Sequence, residues 1–206
     1  NDQCQVLDSS SGYPVSVDLQ SCPVAVRSGV SKPKADETAI RADHNSRDVL
    51  HYYWVTHGRD SFDDQGSTVT SVVHIGKSFA NAFWSSDKDF MAYGDGDGVV
   101  MTDLTRSLDV AGHEMTHGVT AHSSQLIYQS ESGALNEAFS DFFGIVIAAQ
   151  SRNVSPDWAI GKEIFLNDRK NIGLRNLENP ASILARYRDD NGKLQTKPYP
   201  GHVRDQ

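Results

Sequence analysis

His113-Glu114-Met115-Thr116-His117, followed by Asn136-Glu137-Ala138-Phe139-Ser140-Asp141, is the part of the chain from which the rest is read. On a helix, residues i and i+4 stand one turn apart on one face, so the imidazoles of His113 and His117 can converge on a single ion. Glu114, beside the first histidine, can reach a water activated by that ion without ligating it. This HExxH spacing is the zinc-protease arrangement, with the glutamate as general base. Zinc asks for a third protein ligand and an open fourth place. A second helix carrying Glu137 can supply that ligand. Asp141 follows Glu137 by one turn on a strongly apolar segment, and buried carboxylates need a metal or a proton-donating partner. Ligation by Glu137 and a hydrogen bond between Asp141 and a ligating histidine would satisfy both.

Working outward, Leu108, Val110, Ala111, Met115 and Val119 surround the histidines and predict a central, buried helix over 108–119. A loop from His122 to Ser132 leads to a second, apolar helix over roughly 133–150, and a further helix is expected from Pro156 to Phe165. Upstream, the stretch from Lys34 to His57 lacks glycine and proline and predicts one or two helices closed by Gly58. Its His44, His51 and His57 do not share a face, and read as packed or exposed side chains. Strands are expected within Ser67–Ile75, Ala80–Trp84 and Phe90–Tyr93. Gly94-Asp95-Gly96-Asp97-Gly98 reads as a tight turn between strands, because it lacks the later acidic position of a calcium loop. Residues 1–34 are polar and turn-rich, with Val15-Ser16-Val17 and Val24-Ala25-Val26 as edge or hairpin strands. The tail beyond Asn167 is also polar, and Lys197 to His202 does not read as a terminal helix or strand.

The chain has 206 residues, 38% hydrophobic and 22% charged, which fits a globular protein and argues against wholesale disorder. A net charge of −8, with no cluster of Lys and Arg, speaks against nucleic-acid binding. No apolar run long enough to span a membrane is present. Cys4 and Cys22 are the only cysteines. Such a pair reads as a disulfide closing a short loop, worth about 3 kcal/mol in the chain-entropy picture; two buried free thiols are the other reading. A disulfide implies an oxidising, extracellular setting.

These motifs, with Asn81-Ala82-Phe83-Trp84, Met91 to Gly98 and Gln125 to Ala138, closely resemble the thermolysin family of neutral metalloendopeptidases. The matches cover most of residues 67–177. The resemblance implies an α+β, thermolysin-like zincin fold. A β-rich N-terminal lobe (residues 1–106) would precede the central HExxH helix and a truncated helical C-terminal lobe (107–206). It implies zinc held by His113, His117 and Glu137, and Glu114 as general base. Asp141 would orient His113, Asn136 would orient His117, and Tyr128 would help stabilise the intermediate. Asn81 and Ala82 would bind the substrate backbone along a strand edge. Arg175 would hold the residue after the scissile bond, whose side chain would enter an apolar pocket of Met101, Leu104, Val110, Ile160 and Leu174. The implied activity is secreted, zinc-dependent cleavage of peptides or proteins before bulky hydrophobic residues, with no nucleic-acid or membrane partner.

Three departures from the family pattern bear on this. The family carries a further catalytic histidine beyond the region matching Tyr199 to Arg204, and this chain stops at Gln206. A complementary C-terminal fragment, or an inhibitor, is therefore an expected partner, and a non-catalytic zinc-binding fragment is the alternative reading. The family's calcium cluster falls on Asp109, Ala148, Asp157, Ala159 and Lys162, of which Asp109 and Asp157 alone are acidic. That leaves one calcium ion at Asp109 and Asp157 as the most the pattern supports. The third departure is the cysteine pair in a shortened N-terminal region.

Overall fold

A computed structural model of the chain describes residues 3–8, 13–18, 36–188 and 191–198. Strand β1 (Gln3–Asp8) pairs antiparallel with β2 (Tyr13–Asp18), as its sequence alternation suggested for Val15 to Val17. Helix α1 (Glu37–His57) is one continuous element. Asp36 caps it by accepting hydrogen bonds from the backbone N–H of Thr38 and Ala39 at 3.0 and 3.2 Å. Gly58, at φ 65°, ends it in the left-handed conformation that glycine adopts without strain. His44, His51 and His57 are exposed on this helix.

Three further strands, β3 (Val69–Val73), β4 (Ala82–Ser85) and β5 (Phe90–Tyr93), complete a mixed sheet in the order β2-β1-β3-β5-β4. The strand that opens beside Asn81 is thus an edge strand. The Gly94–Gly98 segment is irregular and not the expected tight turn between strands: it leads from β5 to the isolated bridge residue Met101. Asp97 closes it by accepting from the backbone N–H of Val99, Val100 and Met101. Those three donors occupy the oxygen that a calcium loop would turn to an ion.

Helix α2 (Leu108–Ala121) is buried nearly all round, the environment its apolar residues on several sides called for. Helix α3 (Ser130–Ser151) crosses it so closely that a Cβ at Gly112 would lie 2.9 Å from the Cα of Gly144. The core between sheet and helices is filled by Val49, Tyr53, Val69, Met91, Tyr93 and Met115, among others. One face of α3 faces outward, leaving Leu135, Phe139 and Phe142 each more than 40% exposed (45, 43 and 43%).

Two expectations fail. Pro156 to Phe165 is not a helix: it forms strand β6 (Ala159–Ile160) and a 3-10 turn over Lys162–Ile164. Asp157 accepts from the backbone N–H of Ala159, and Gly161 takes φ 72°, both of which break a helical run. β6 pairs instead with β7 (Arg175–Asn176). Gly173 permits this return at φ 83°, where a side chain would press within 2.5 Å of the Ile160 carbonyl. The tail is also more regular than its composition suggests, with β8 (Leu184–Arg188) and β9 (Leu194–Pro198) forming a hairpin. Cys22, Val24 to Val26 and residues 199–206 lie outside the described residues, and with them the expected disulfide.

His74 ties the N-terminus of α1 to the turn after β5. Its Nε2 lies 2.9 Å from Asp36 and its Nδ1 2.8 Å from Asp95. Burial acts to lower its pKa, but the hydrogen bonds and charges of the two aspartates outweigh this and raise it. A raised folded-state value means the stabilisation is fully present below about pH 6.5, the unfolded value, and is lost as pH rises through the folded one. Thermal melts through the neutral range should show that slope, and His74→Gln should flatten it. An unchanged slope in the variant would refute the clamp.

Candidate active site

Helix α2 presents His113 and His117 on one face, and α3 brings Glu137 opposite them. The Nε2 atoms of the two histidines are 3.0 Å apart, and the Glu137 oxygens lie 3.5 Å from His113 Nε2 and 3.4 Å from His117 Nε2. All three ligand-type atoms fall within 4.8 Å of one another. The far nitrogens each face an oxygen. His117 Nδ1 lies 2.7 Å from Asn136 Oδ1, and His113 Nδ1 lies 2.8 Å from Asp141 Oδ1. The Asn136 amide nitrogen, donating to the Leu126 carbonyl at 3.4 Å, turns the Asn136 oxygen toward the histidine. With His117 Nδ1 donating to Asn136 and His113 Nδ1 held at ion-pair distance from the Asp141 carboxylate, the two Nε2 atoms are left facing one point beside Glu137. Such a donor set fits a divalent cation of the zinc type.

The electrostatics agree. Burial alone would lower His113, yet Asp141 and the charge of Glu114 raise it; His117 is held low, first by burial and then by His113. The two rings therefore differ: the carboxylates favour positive charge on His113, while His117 is held toward its neutral form. Asp141, 5% exposed, is itself held below the ordinary carboxylate range: burial would raise it, but Arg175 and His113 outweigh that. Arg175 forks onto it, with Nε and Nη2 each donating at 2.6 Å.

Glu114 is 6% exposed and stands beside the donor set without joining it. Burial is the main reason its carboxyl is pushed up to about 6, with Glu137 adding to the effect and His113 opposing it. The backbone N–H of Trp84 also donates to this carboxylate. The Trp84 ring is seated against α2 at Gly118, one turn after Glu114, where a Cβ would come within 2.7 Å of it. Gly118→Ala should push Trp84 outward and weaken that backbone contact. The expected result is a drop in kcat of roughly tenfold or more with KM little changed, since a small misplacement of a reacting group is costly. An unaltered kcat in a folded variant would dismiss the contact.

One cleft of about 830 Å³ gathers nearly all the residues singled out in the sequence. Its lining includes Asn81, Ala82, Met101, Leu104, Val110, Ile160, Leu174, Arg175, Tyr128 and Glu114, with the two histidines and Glu137. β6 and β7 explain the C-terminal contribution, because Ile160 pairs with Arg175 across them. Tyr128, 66% exposed, donates its hydroxyl to Glu137 Oε1. Asp141 stands behind the histidines and does not line the cleft. Asp109 and Asp157 lie at a separate pocket. Trp84 and Ile164 also line the cleft and were not singled out. Strand alternation could have indicated Trp84, which shares a face with Ala82. Ile164 had no such signal, since its segment reads as helix.

Comparison with known proteins accords with this geometry. The family model described as thermolysin metallopeptidase, catalytic domain, matches residues 2–121, and the one described as thermolysin metallopeptidase, alpha-helical domain, matches 124–206. Bacillolysin of Bacillus cereus is 45% identical over 145 residues, covering 70% of this chain and 25% of that protein. Thermolysin of Alicyclobacillus acidocaldarius is 41% identical over 146 residues, covering 71% of this chain and 26% of that protein. The solved precursor of protealysin, a metalloproteinase from Serratia proteamaculans, superposes with a TM-score of 0.79 at 30% identity, covering all of this chain and 61% of that one. The chain thus spans about a quarter of the length of these two curated relatives. None of its described helices is long and apolar enough to cross a membrane. With the two family models together matching nearly the whole chain and the His-His-Glu centre in the cleft, the chain belongs to the thermolysin family of metallopeptidases.

Proposed function

We propose that this chain carries the zinc site and most of the substrate cleft of a secreted metalloendopeptidase that hydrolyses peptide bonds before bulky hydrophobic residues. The observation that carries the reading is the convergence of His113, His117 and Glu137 with a buried, non-ligating Glu114 beside them. His113, His117 and Glu137 would hold the ion. Zinc, when bound, supplies Lewis-acid polarisation of the scissile carbonyl and acidifies water.

The remaining chemistry falls to side chains. Glu114 takes the proton of the attacking water on its carboxylate and returns it to the leaving amine. Tyr128 swings its hydroxyl from Glu137 to the developing oxyanion. Asn81 and Ala82, at the edge of the sheet, align the peptide backbone, as strand addition does elsewhere. Arg175 faces the residue after the scissile bond, whose side chain enters the space among Met101, Leu104, Val110, Ile160 and Leu174. Residues 1–106 would form one wall of the cleft and 107–206 its floor and part of the other wall.

A second reading is favoured by the apolar surface of α3. Leu135, Phe139 and Phe142 are exposed, a surface that suits a complementary C-terminal segment or an inhibitor. In that reading the chain binds zinc without turnover until the partner is supplied. Metal analysis and a quenched-peptide series, with and without such a segment, separate the two. We expect one zinc per chain, lost in His117→Ala, and at least about tenfold faster cleavage before Leu or Phe than before Gly. A folded chain that binds no zinc would sink both readings.

A further inference from the structure

Near the C-terminal end of α3, a pocket of about 130 Å³ is lined by Asp109, Asp157 and Glu163 together with Lys162 and Arg152. This is where the family resemblance implies calcium, and the residues present do not fit it. Lys162 Nζ donates to Asp157 Oδ2 at 2.6 Å, and Arg152 Nη2 to Glu163 Oε2 at 2.7 Å. Asp109 accepts from Ser107 Oγ at 2.5 Å and from the Gly161 N–H at 3.0 Å. Asp157 Oδ1 accepts from the Ala159 N–H at 3.3 Å. Calcium takes six to eight oxygen ligands; here each acidic side chain already has a hydrogen-bond donor, and Ala148 and Ala159 offer no side-chain oxygen.

We infer that Lys162 and Arg152 stand in for a bound cation, Arg152 joining the end of α3 to the 157–163 segment and Lys162 bracing that segment from within, and that they leave this pocket without a divalent-metal site. Arg152 is the C-cap residue of α3, where a cation also suits the helix dipole. An ammonium and a guanidinium inside the pocket repel an incoming divalent ion at close range. Asp157 and Glu163 are 63% and 43% exposed at their side chains, so each pair adds little stability alone. Their consequence is exclusion of the ion.

The test does not depend on peptidase activity. Thermal melts of the zinc-supplied chain are run against calcium at constant ionic strength. A pocket that bound calcium would raise Tm by roughly 5–10 °C at a hundred times its Kd, whereas the expected change is under about 1 °C. Lys162→Glu should melt lower without calcium and recover several degrees with it, and Lys162→Gln should show a weaker gain. A rise in the parent chain that Asp157→Asn abolishes would overturn the inference, as would a flat response in both Lys162 variants. A rise untouched by Asp157→Asn and Glu163→Gln puts the ion elsewhere and upholds it.

Discussion

Glu114→Gln is expected to cut peptide hydrolysis by about 10²–10⁴-fold, the usual scale for a lost general acid–base group, while zinc content stays the same. Glutamine keeps the volume and can still accept from the Trp84 N–H, but it cannot take up a proton. The carboxyl sits in a nearly water-free position, and its pKa of about 6 suits a group that must accept and return a proton near neutrality. It is also outside the set of converging donors, so zinc should not leave with it. The measurement pairs metal analysis with turnover of a peptide substrate, the complementary segment being added if turnover requires it. Retained turnover would remove the general-base role. Loss of zinc together with turnover would instead make Glu114 part of the metal's support.

The second large effect is expected from a residue that touches neither metal nor substrate. A side chain at Gly144 would collide with the Asp109 carbonyl and come within 3.1 Å of the His113 backbone nitrogen. These are helical backbone atoms of α2, which cannot rotate aside, so Gly144→Ala must part α2 from α3 by on the order of 1 Å. Glu137 lies two turns earlier on α3 and would move with it. Ligand bonds to zinc hold to within about 0.2 Å, so the carboxylate would no longer meet the histidine pair. Zinc affinity should fall by about tenfold or more, alongside about 1–3 kcal/mol of lost stability from overpacking. Competition with a chromophoric chelator and a thermal melt read the two effects separately. Normal zinc affinity in a folded Gly144→Ala chain would show that the close crossing does not set the site.

Much of this site could be read before any coordinates. His113 and His117 are paired by helical spacing alone, and Glu137 with Asp141 by the same spacing on the next helix. β4 and β5 showed in their apolar and aromatic residues, and the end of α1 in Gly58. The failures have local causes. Trp158 to Phe165 has largely helix-compatible composition, and pairing with Arg175–Asn176, with Gly161 in the left-handed conformation, turns it into strand and 3-10 turn. β9 is mostly polar and exposed, so no alternation marked it.

The sequence by itself determined the zinc-type donor set, the neighbouring base and the helices that bear them, because ligand spacing and helix period are properties of neighbours along the chain. Tertiary structure alone decided that Arg175 grips Asp141 and that Trp84 backs Glu114. Each of those depends on how closely two backbones approach, and that distance is set by packing between segments far apart in the chain.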